Sequence, residues 1–335
     1  MPWKEGWRID WKPYYRRELE SPAGRRAVDD LLRRADDAKL VRAIKRGAIL
    51  SFPHTALDYA GPVQARVVGA LYRAGVERVI ALGVLHSSGS AAYRTALDEE
   101  QPNDVRRAAY EEVTGGWLVP GAKIGTPFGD LPGFEASEDE RVPVRFDRSG
   151  LLTEEFSLDT FLSLLRRRAV LRDVEPPEVL RVFVGPTREP LSRSFAVAVR
   201  LAAWVRRAAA SDDRRTAIVT TGDLVHYGTA YGDPGADPSE ARGAATDRFR
   251  PSVERMLEAG LAARDWPLAH QLSTGLLNSD QREILAVVSG ILGPARARLL
   301  HFELSDYARI LGMTPPCWVA SALVAYERAD ACDWD

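Results

Sequence analysis

From Ala48 to Glu327 the chain alternates between two periodicities. Short runs of aliphatic and β-branched residues alternate with longer segments in which apolar residues recur every three or four positions. The runs AILSF (48–52), RVIALGV (78–84), VLRVFVG (179–185) and TAIVTTG (216–222) read as strands. A strand that is apolar almost throughout needs cover on both faces, the situation of a parallel strand in an α/β sheet. PVQARVVGALYRAG (62–75), SLDTFLSLLRRRA (157–169, with Ser157 as cap) and SRSFAVAVRLAAWVRRAAA (192–210) read as the covering helices. Two or three more helices are expected between Ser239 and Ile291, followed by late strands at ARLLHFEL (297–304) and CWVASALVAYE (317–327). The expectation is an α/β fold: a central, largely parallel but mixed sheet with helices on both faces.

No repeat or low-complexity linker divides this pattern, so residues 47–330 read as one domain preceded by an arm and a helix in 1–46. The arm sets Trp3, Trp7, Trp11, Tyr14 and Tyr15 among charges, which suits packing on the main domain or on a second subunit; a homodimer is one expectation. Ser21-Pro22 reads as an N-cap with proline at the first helical position, opening a helix that stops near Arg46-Gly47. The stretch 87–150 reads as irregular and as a wall of the pocket. A formal net charge of −2 with interleaved acids and arginines argues against nucleic-acid and anionic-membrane partners. The start MPWKEGWRIDWK has no apolar core, and no apolar run reaches the roughly 18 residues of a membrane span. Cys317 and Cys332 make no CxxC pair, so a reduced, cytoplasmic protein is expected.

Three of the five histidines end or follow apolar runs: His54 in ILSFPH, His86 in VIALGVLH, His226 at the end of AIVTTGDLVH. The carboxyl ends of strands in an open α/β sheet line its ligand crevice, so neighbouring strands would bring three imidazoles to one site. Imidazole is the commonest metal ligand and a proton carrier near neutral pH. Pro53 extends and ends the strand before His54, and GVLHSSGS gives His86 a loop of small residues. Asp223, three residues before His226, could orient that ring or could cap a short turn. His270 in WPLAHQL reads as a helix-surface or interface residue, and His301 as an ordinary strand histidine. No HExxH, GxGxxG, P-loop or GxSxG element names a reaction. The residues alone support a mononuclear metal site in an α/β pocket.

At these positions the chain resembles the Memo family (AmmeMemoRadiSam system protein B), itself similar in fold to the class III extradiol ring-cleavage dioxygenases. The family's P-H-A-G-Y-x-Y-S-G is matched by PHTALDYAG (53–61) and its G-P-x-H-H by GVLHS (83–87). Its E-H-S-L-E is matched by EFSLD (155–159), with Phe156 in place of the histidine, and its S-S-D-F-x-H-[WY]-G by TGDLVHYG (221–228). SDYA (305–308) and WVASALVAY (318–326) resemble its late elements, so the likeness spans about 48–327. The family's C-G-R-x-P-I falls on SDQREI (279–284), which puts Ser279 where the cysteine stands and places the carboxylates of Asp280 and Glu283 beside it.

The resemblance implies His54 and His86 as metal ligands with Asp280 as the third, Glu283 in reserve; Asp280 could instead serve only as the cap of QREILAVVSGIL. Two histidines and a carboxylate suit non-haem Fe(II) with open positions for a chelating, catechol-like small molecule and O₂. Zn(II), Mn(II) and Cu are the other metals to consider, although the missing thiolate argues against copper–thiol redox chemistry. His226 would be the acid–base group, Asp223 its orienting partner, and Tyr59 or Tyr227 substrate contacts. The alternatives are a Memo-like metal- or partner-binding protein without oxygenase turnover, and a Zn(II)-dependent hydrolase using the same ligands.

Overall fold

A computed structural model describes residues 10–86, 90–134, 136–138, 144–232, 237 and 240–330 of the chain. Trp3, Trp7, Cys332 and the small residues 87–89 after His86 lie outside the described residues. Before the first strand come α1 (Trp11–Glu20), α2 (Pro22–Arg34) and α3 (Ala38–Lys45). Ser21 caps α2 by accepting the Gly24 N–H at 2.9 Å. The one helix expected from Ser21 to Arg46 is two, because the Asp37 carboxylate accepts the N–H groups of Lys39 and Leu40 and starts a new helix there.

There follow β1 (Ile49–Phe52), α4 (Leu57–Arg73) and β2 (Arg78–Val84), then α5 (Ala91–Leu97) and α6 (Asn103–Val113). Next come the short strands β3 (Gly116–Leu118), β4 (Lys123–Thr126), β5 (Gly129–Pro132) and β6 (Val144–Phe146). The described part of 87–150 is therefore structured: its strands span three or four residues, too short to leave a periodic signature. The second half runs α7 (Asp159–Arg172), β7 (Glu178–Val184), α8 (Ala196–Ala209), β8 (Thr216–Thr221), β9 (His226–Gly228), α9 (Arg242–Leu261) and α10 (Trp266–Thr274). It ends with α11 (Gln281–Leu292), β10 (Ala295–Asp306), α12 (Ala308–Leu311) and β11 (Cys317–Arg328). Two expected boundaries shift. The helix expected over 62–75 starts five residues earlier, at Leu57. Ser157 does not cap α7; its hydroxyl donates to the Val84 carbonyl at 2.8 Å.

The large sheet has nine strands in the order β10-β11-β1-β8-β2-β7-β3-β6, with β9 added on β11. Its middle, β1-β8-β2-β7, is parallel, while β11 joins β1 and β3 joins β7 antiparallel. The sheet is mixed, as antiparallel edges on a parallel centre make it. Alternate residues of the central strands pack on α2, α3, α4 and α7 on one face and on α8, α9, α10 and α11 on the other. β2 is buried along its whole length, which accounts for its unbroken apolar run. The order has one consequence for function: β8 lies between β1 and β2, so the carboxyl ends that carry His54, Asp223 and His86 open side by side.

Candidate metal centre

His54 follows β1 by two residues, His86 follows β2 by two, and Asp223 follows β8 by two. The Gly222 N–H donates to the Phe52 carbonyl at 3.1 Å and so carries the β1–β8 pairing up to the rim. A Cβ on Gly222 would lie 2.9 Å from Gln281 Nε2 and 3.3 Å from Asp280 Cβ. Glycine therefore lets the start of α11 close on the strand end. There the two segments lock together: Asp280 N–H donates to the Asp223 carbonyl, and Asp223 N–H to Asp280 Oδ2, each at 3.0 Å. The Ser279 hydroxyl donates to that same Asp223 carbonyl at 3.0 Å. The Asp280 carboxylate makes no capping bond to its own helix; it is turned to the rim. His226 arrives on β9, opposite Val319 of β11, with its N–H on the Leu277 carbonyl at 2.9 Å.

Each imidazole is anchored through Nδ1. His86 Nδ1 lies 3.1 and 3.2 Å from the two Glu155 carboxylate oxygens, and the His86 N–H donates to Glu155 Oε2 at 2.8 Å. His226 Nδ1 lies 2.9 Å from the Asn278 carbonyl, and His54 Nδ1 3.2 Å from Thr221 Oγ1. Carboxylate and carbonyl oxygens only accept, so the Nδ1 atoms of His86 and His226 carry the protons and their Nε2 atoms carry the lone pairs. His54 Nε2 faces Asp280 Oδ2 at 3.6 Å and Asp223 Oδ2 at 3.7 Å; His226 Nε2 faces Asp223 Oδ2 at 3.6 Å. The rings of His54 and His86 lie edge to face with centroids 5.0 Å apart.

His54, Asp223 and Asp280 are 4%, 1% and 8% exposed. Burial pulls the His54 pKa down against the pull of both aspartates, so this ring favours its neutral form. In the tautomer in which Thr221 Oγ1 accepts from Nδ1, the neutral Nε2 directs its lone pair at two buried carboxylates, lone pairs against lone pairs. A cation between them resolves that conflict. This is the physical sense in which these residues fit a metal: His54, His86 and Asp280 offer ligand atoms all within 4.8 Å of one another. Burial works against the charged ring of His226 as well, but Asp280, Asp223 and the Asn278 carbonyl outweigh it and raise the pKa. Burial likewise opposes the charge of Asp280 and is outweighed by His226, His54 and His86, which leave its pKa lowered. Glu155 is brought down to about 2: burial resists ionisation but His86 and the N–H donors around the carboxylate overcome it.

Asp223 therefore faces the Nε2 side of His226, and the Asn278 carbonyl is what holds its Nδ1. Glu283, one turn along α11, is turned elsewhere: its Oε2 accepts the Thr187 N–H at 2.9 Å, and burial lifts its pKa to about 7. The Tyr59 ring lies 4.8 Å from Tyr307, and Tyr227 packs on Phe249 of α9 with centroids 5.2 Å apart. His270 meets Phe195 within α10's packing, and His301 lies on β10 beside Glu303.

Three contributors were not legible as such in the sequence. Glu155 anchors His86 from a loop about seventy residues away, and the carbonyl of Asn278 anchors His226; neither position belongs to a periodic pattern. Phe156 stacks on His86 at 4.5 Å and is itself covered by Tyr15 and Trp11 of α1. The EFSLD motif was the available signal for Glu155.

No protein-family model matches the chain, and no curated protein matches it significantly. Among the described residues, no helix is long and apolar enough to cross a membrane.

Proposed function

We propose that the chain is a mononuclear, non-haem Fe(II)-dependent dioxygenase of the extradiol type, with a Memo-like fold, acting on a catechol-like or other chelating small molecule. The observation that carries this reading is the meeting of His54, His86 and Asp280 at the carboxyl rim, with a fourth ligand-capable group, His226, beside them. Two histidines and one carboxylate occupy one side of an ion and leave positions for substrate and O₂. When bound, the iron would supply Lewis acidity and the redox chemistry of ring opening.

The protein's own contribution is positional and protic. Glu155, Thr221 and Asn278 fix the three rings so that each Nε2 points to the rim. His226 Nε2 takes a hydroxyl proton from the substrate and later returns it, a role worth roughly 10²–10⁴-fold. Asp223 at 3.6 Å stabilises the imidazolium while the proton is held. Phe156, backed by Tyr15 and Trp11, packs on the His86 ring and holds its orientation.

Anaerobic reconstitution with Fe(II), followed by O₂ uptake across a panel of catechols, tests the reading. Uptake with a ring-fission chromophore is expected, and His226→Ala should retain the iron but lose turnover. Iron-loaded protein that consumes no oxygen with any chelating substrate overturns the proposal, and turnover with zinc alone would replace it with hydrolysis.

A further inference from the structure

We propose that a cleft at the β6 edge of the sheet is an oxyanion-binding site, which takes a small molecule through a phosphate or carboxylate group. The cleft has a volume of about 600 Å³, the size of a small-molecule site, and lies between α6, β6 and the start of α8. Val144 of β6 lines it and pairs with Gly116, which pairs in turn with Val184 at the carboxyl end of β7. The cleft therefore opens at the same end of the sheet as His86, but three strands further out. At about 4.8 Å per strand that is about 14 Å, beyond the reach of a catechol-sized molecule held at the metal centre.

Three guanidinium groups from three elements line this cleft: Arg107 of α6, Arg145 of β6 and Arg200 of α8. Three carboxylates line it as well, but two of them are committed. Glu138 accepts the Phe146 N–H at 2.8 Å and Arg148 Nη2 at 3.0 Å. Glu189 accepts the N–H groups of Leu191 and Ser192. Burial resists its ionisation, but these donors and the more distant Arg107 outweigh it and lower the pKa. The third, Glu111, offsets part of the charge of Arg145. Arg107 and Arg200 are exposed and make neither a hydrogen bond nor an ion pair among the described residues. Arg145 is fixed in advance: its guanidinium lies over the Trp117 ring at 4.4 Å, and Nη2 donates to the carbonyls of Glu111 and Thr114. Its Nε is buried with no partner among the described residues. Carbonyls orient a cation without neutralising it. Like charges gathered on a concave surface attract an anion, and guanidinium N–H pairs match two oxygens of a phosphate or carboxylate. The buried side chains of Tyr110, Val144 and Val197 give the remainder of the ligand an apolar floor.

The test is isothermal titration calorimetry of the full chain at low ionic strength, with inorganic phosphate and, separately, with malonate. At least one probe should saturate at one equivalent, and the tighter of the two names the group. Arg107→Ala and Arg200→Ala should each weaken that binding about tenfold. Both side chains are exposed, so their loss leaves the fold intact. Arg255→Ala removes the same charge from an exposed position on α9 and should leave the affinity unchanged. Failure of both probes to saturate overturns the proposal. So does binding that either cleft variant leaves intact, or that Arg255→Ala weakens as much. Metal content, counted by elemental analysis, should be the same in the cleft variants as in the wild type. A loss of metal together with the anion would also overturn the proposal, because the cleft would then not be a site of its own.

Discussion

The two rims of the sheet keep buried carboxylates in different company. At the rim where β1 begins, Glu327 of β11 is 2% exposed and meets three arginines: Arg46 at 3.5 Å, Arg296 at 3.9 Å and Arg298 at 3.2 Å. At the rim where β1 ends, Asp223 and Asp280 are buried too, yet among the described residues their ion-pair partners are imidazoles alone. A buried charge without a permanent counter-ion is costly to keep. Glu327 carries its counter-ions in the same chain. The aspartates face only groups that charge on protonation, in a cluster that could hold a cation. The contrast separates a structural ion cluster from a ligand site more sharply than burial or hydrogen bonding does, because both rims satisfy those.

The strongest way to break this contrast is His54→Ala. It removes the ligand that faces both aspartates, and metal affinity should fall by more than the roughly 100-fold that loss of an outer partner causes. Competition with a chelating dye measures it; a fall below about tenfold would mean that the rim does not bind through this ring. Glu155→Gln comes next. It keeps an acceptor for His86 Nδ1 but removes the charge, and should cost roughly 10-fold in the same titration. An unchanged affinity would show that the anchoring of His86 does not reach the metal.

At the other rim, Glu327→Gln should leave metal affinity unchanged and lower stability by about 2 kcal/mol. That lies below the 3–5 kcal/mol typical of a broken buried pair, because the three arginines are about one-third open to water. Urea denaturation of the metal-free protein measures it. A change in metal affinity with no loss of stability would erase the distinction between the rims.

The sheet was largely legible because burial on both faces forces continuous apolar runs: the expected strand 78–84 is β2 to the residue. His54 and His86 were legible for the same reason, since each stands where such a run stops; His226 stands five residues past the end of β8, on β9. Legibility failed where structure depends on partners distant in sequence. β9 is three residues long and exists because β11 offers an edge opposite Cys317–Val319. Asp280 reads as a helix cap by position, and only its bond to the Asp223 N–H shows the carboxylate turned to the rim. Glu155 sits in a stretch with no period, and apart from the EFSLD match nothing local marks it as the anchor of His86.

Glu18 of α1 offers the smallest effect and the finest test, because it represents a third way to keep a carboxylate out of water. It has neither the arginines of Glu327 nor the imidazoles of Asp280; its Oε2 accepts the Leu57 N–H at 2.9 Å. Burial raises its pKa to about 7 in spite of that bond, with Asp58 adding to the rise. The folded state thus holds the proton more tightly than an unfolded chain, where a glutamate titrates near 4.3. The stabilisation is full below the unfolded value and is lost as pH climbs through about 7. Since the side chain is only partly buried, screening limits the effect to about 1 kcal/mol. Glu18→Gln keeps the acceptor for Leu57 and cannot ionise, so its stability relative to wild type should rise by that amount as pH increases from about 4.5 to 7.5. Parallel denaturation curves at several pH values decide the matter. A constant difference between the two proteins would mean that Glu18 is as well compensated as Glu327, and that a proton does not stand in for the missing counter-ion.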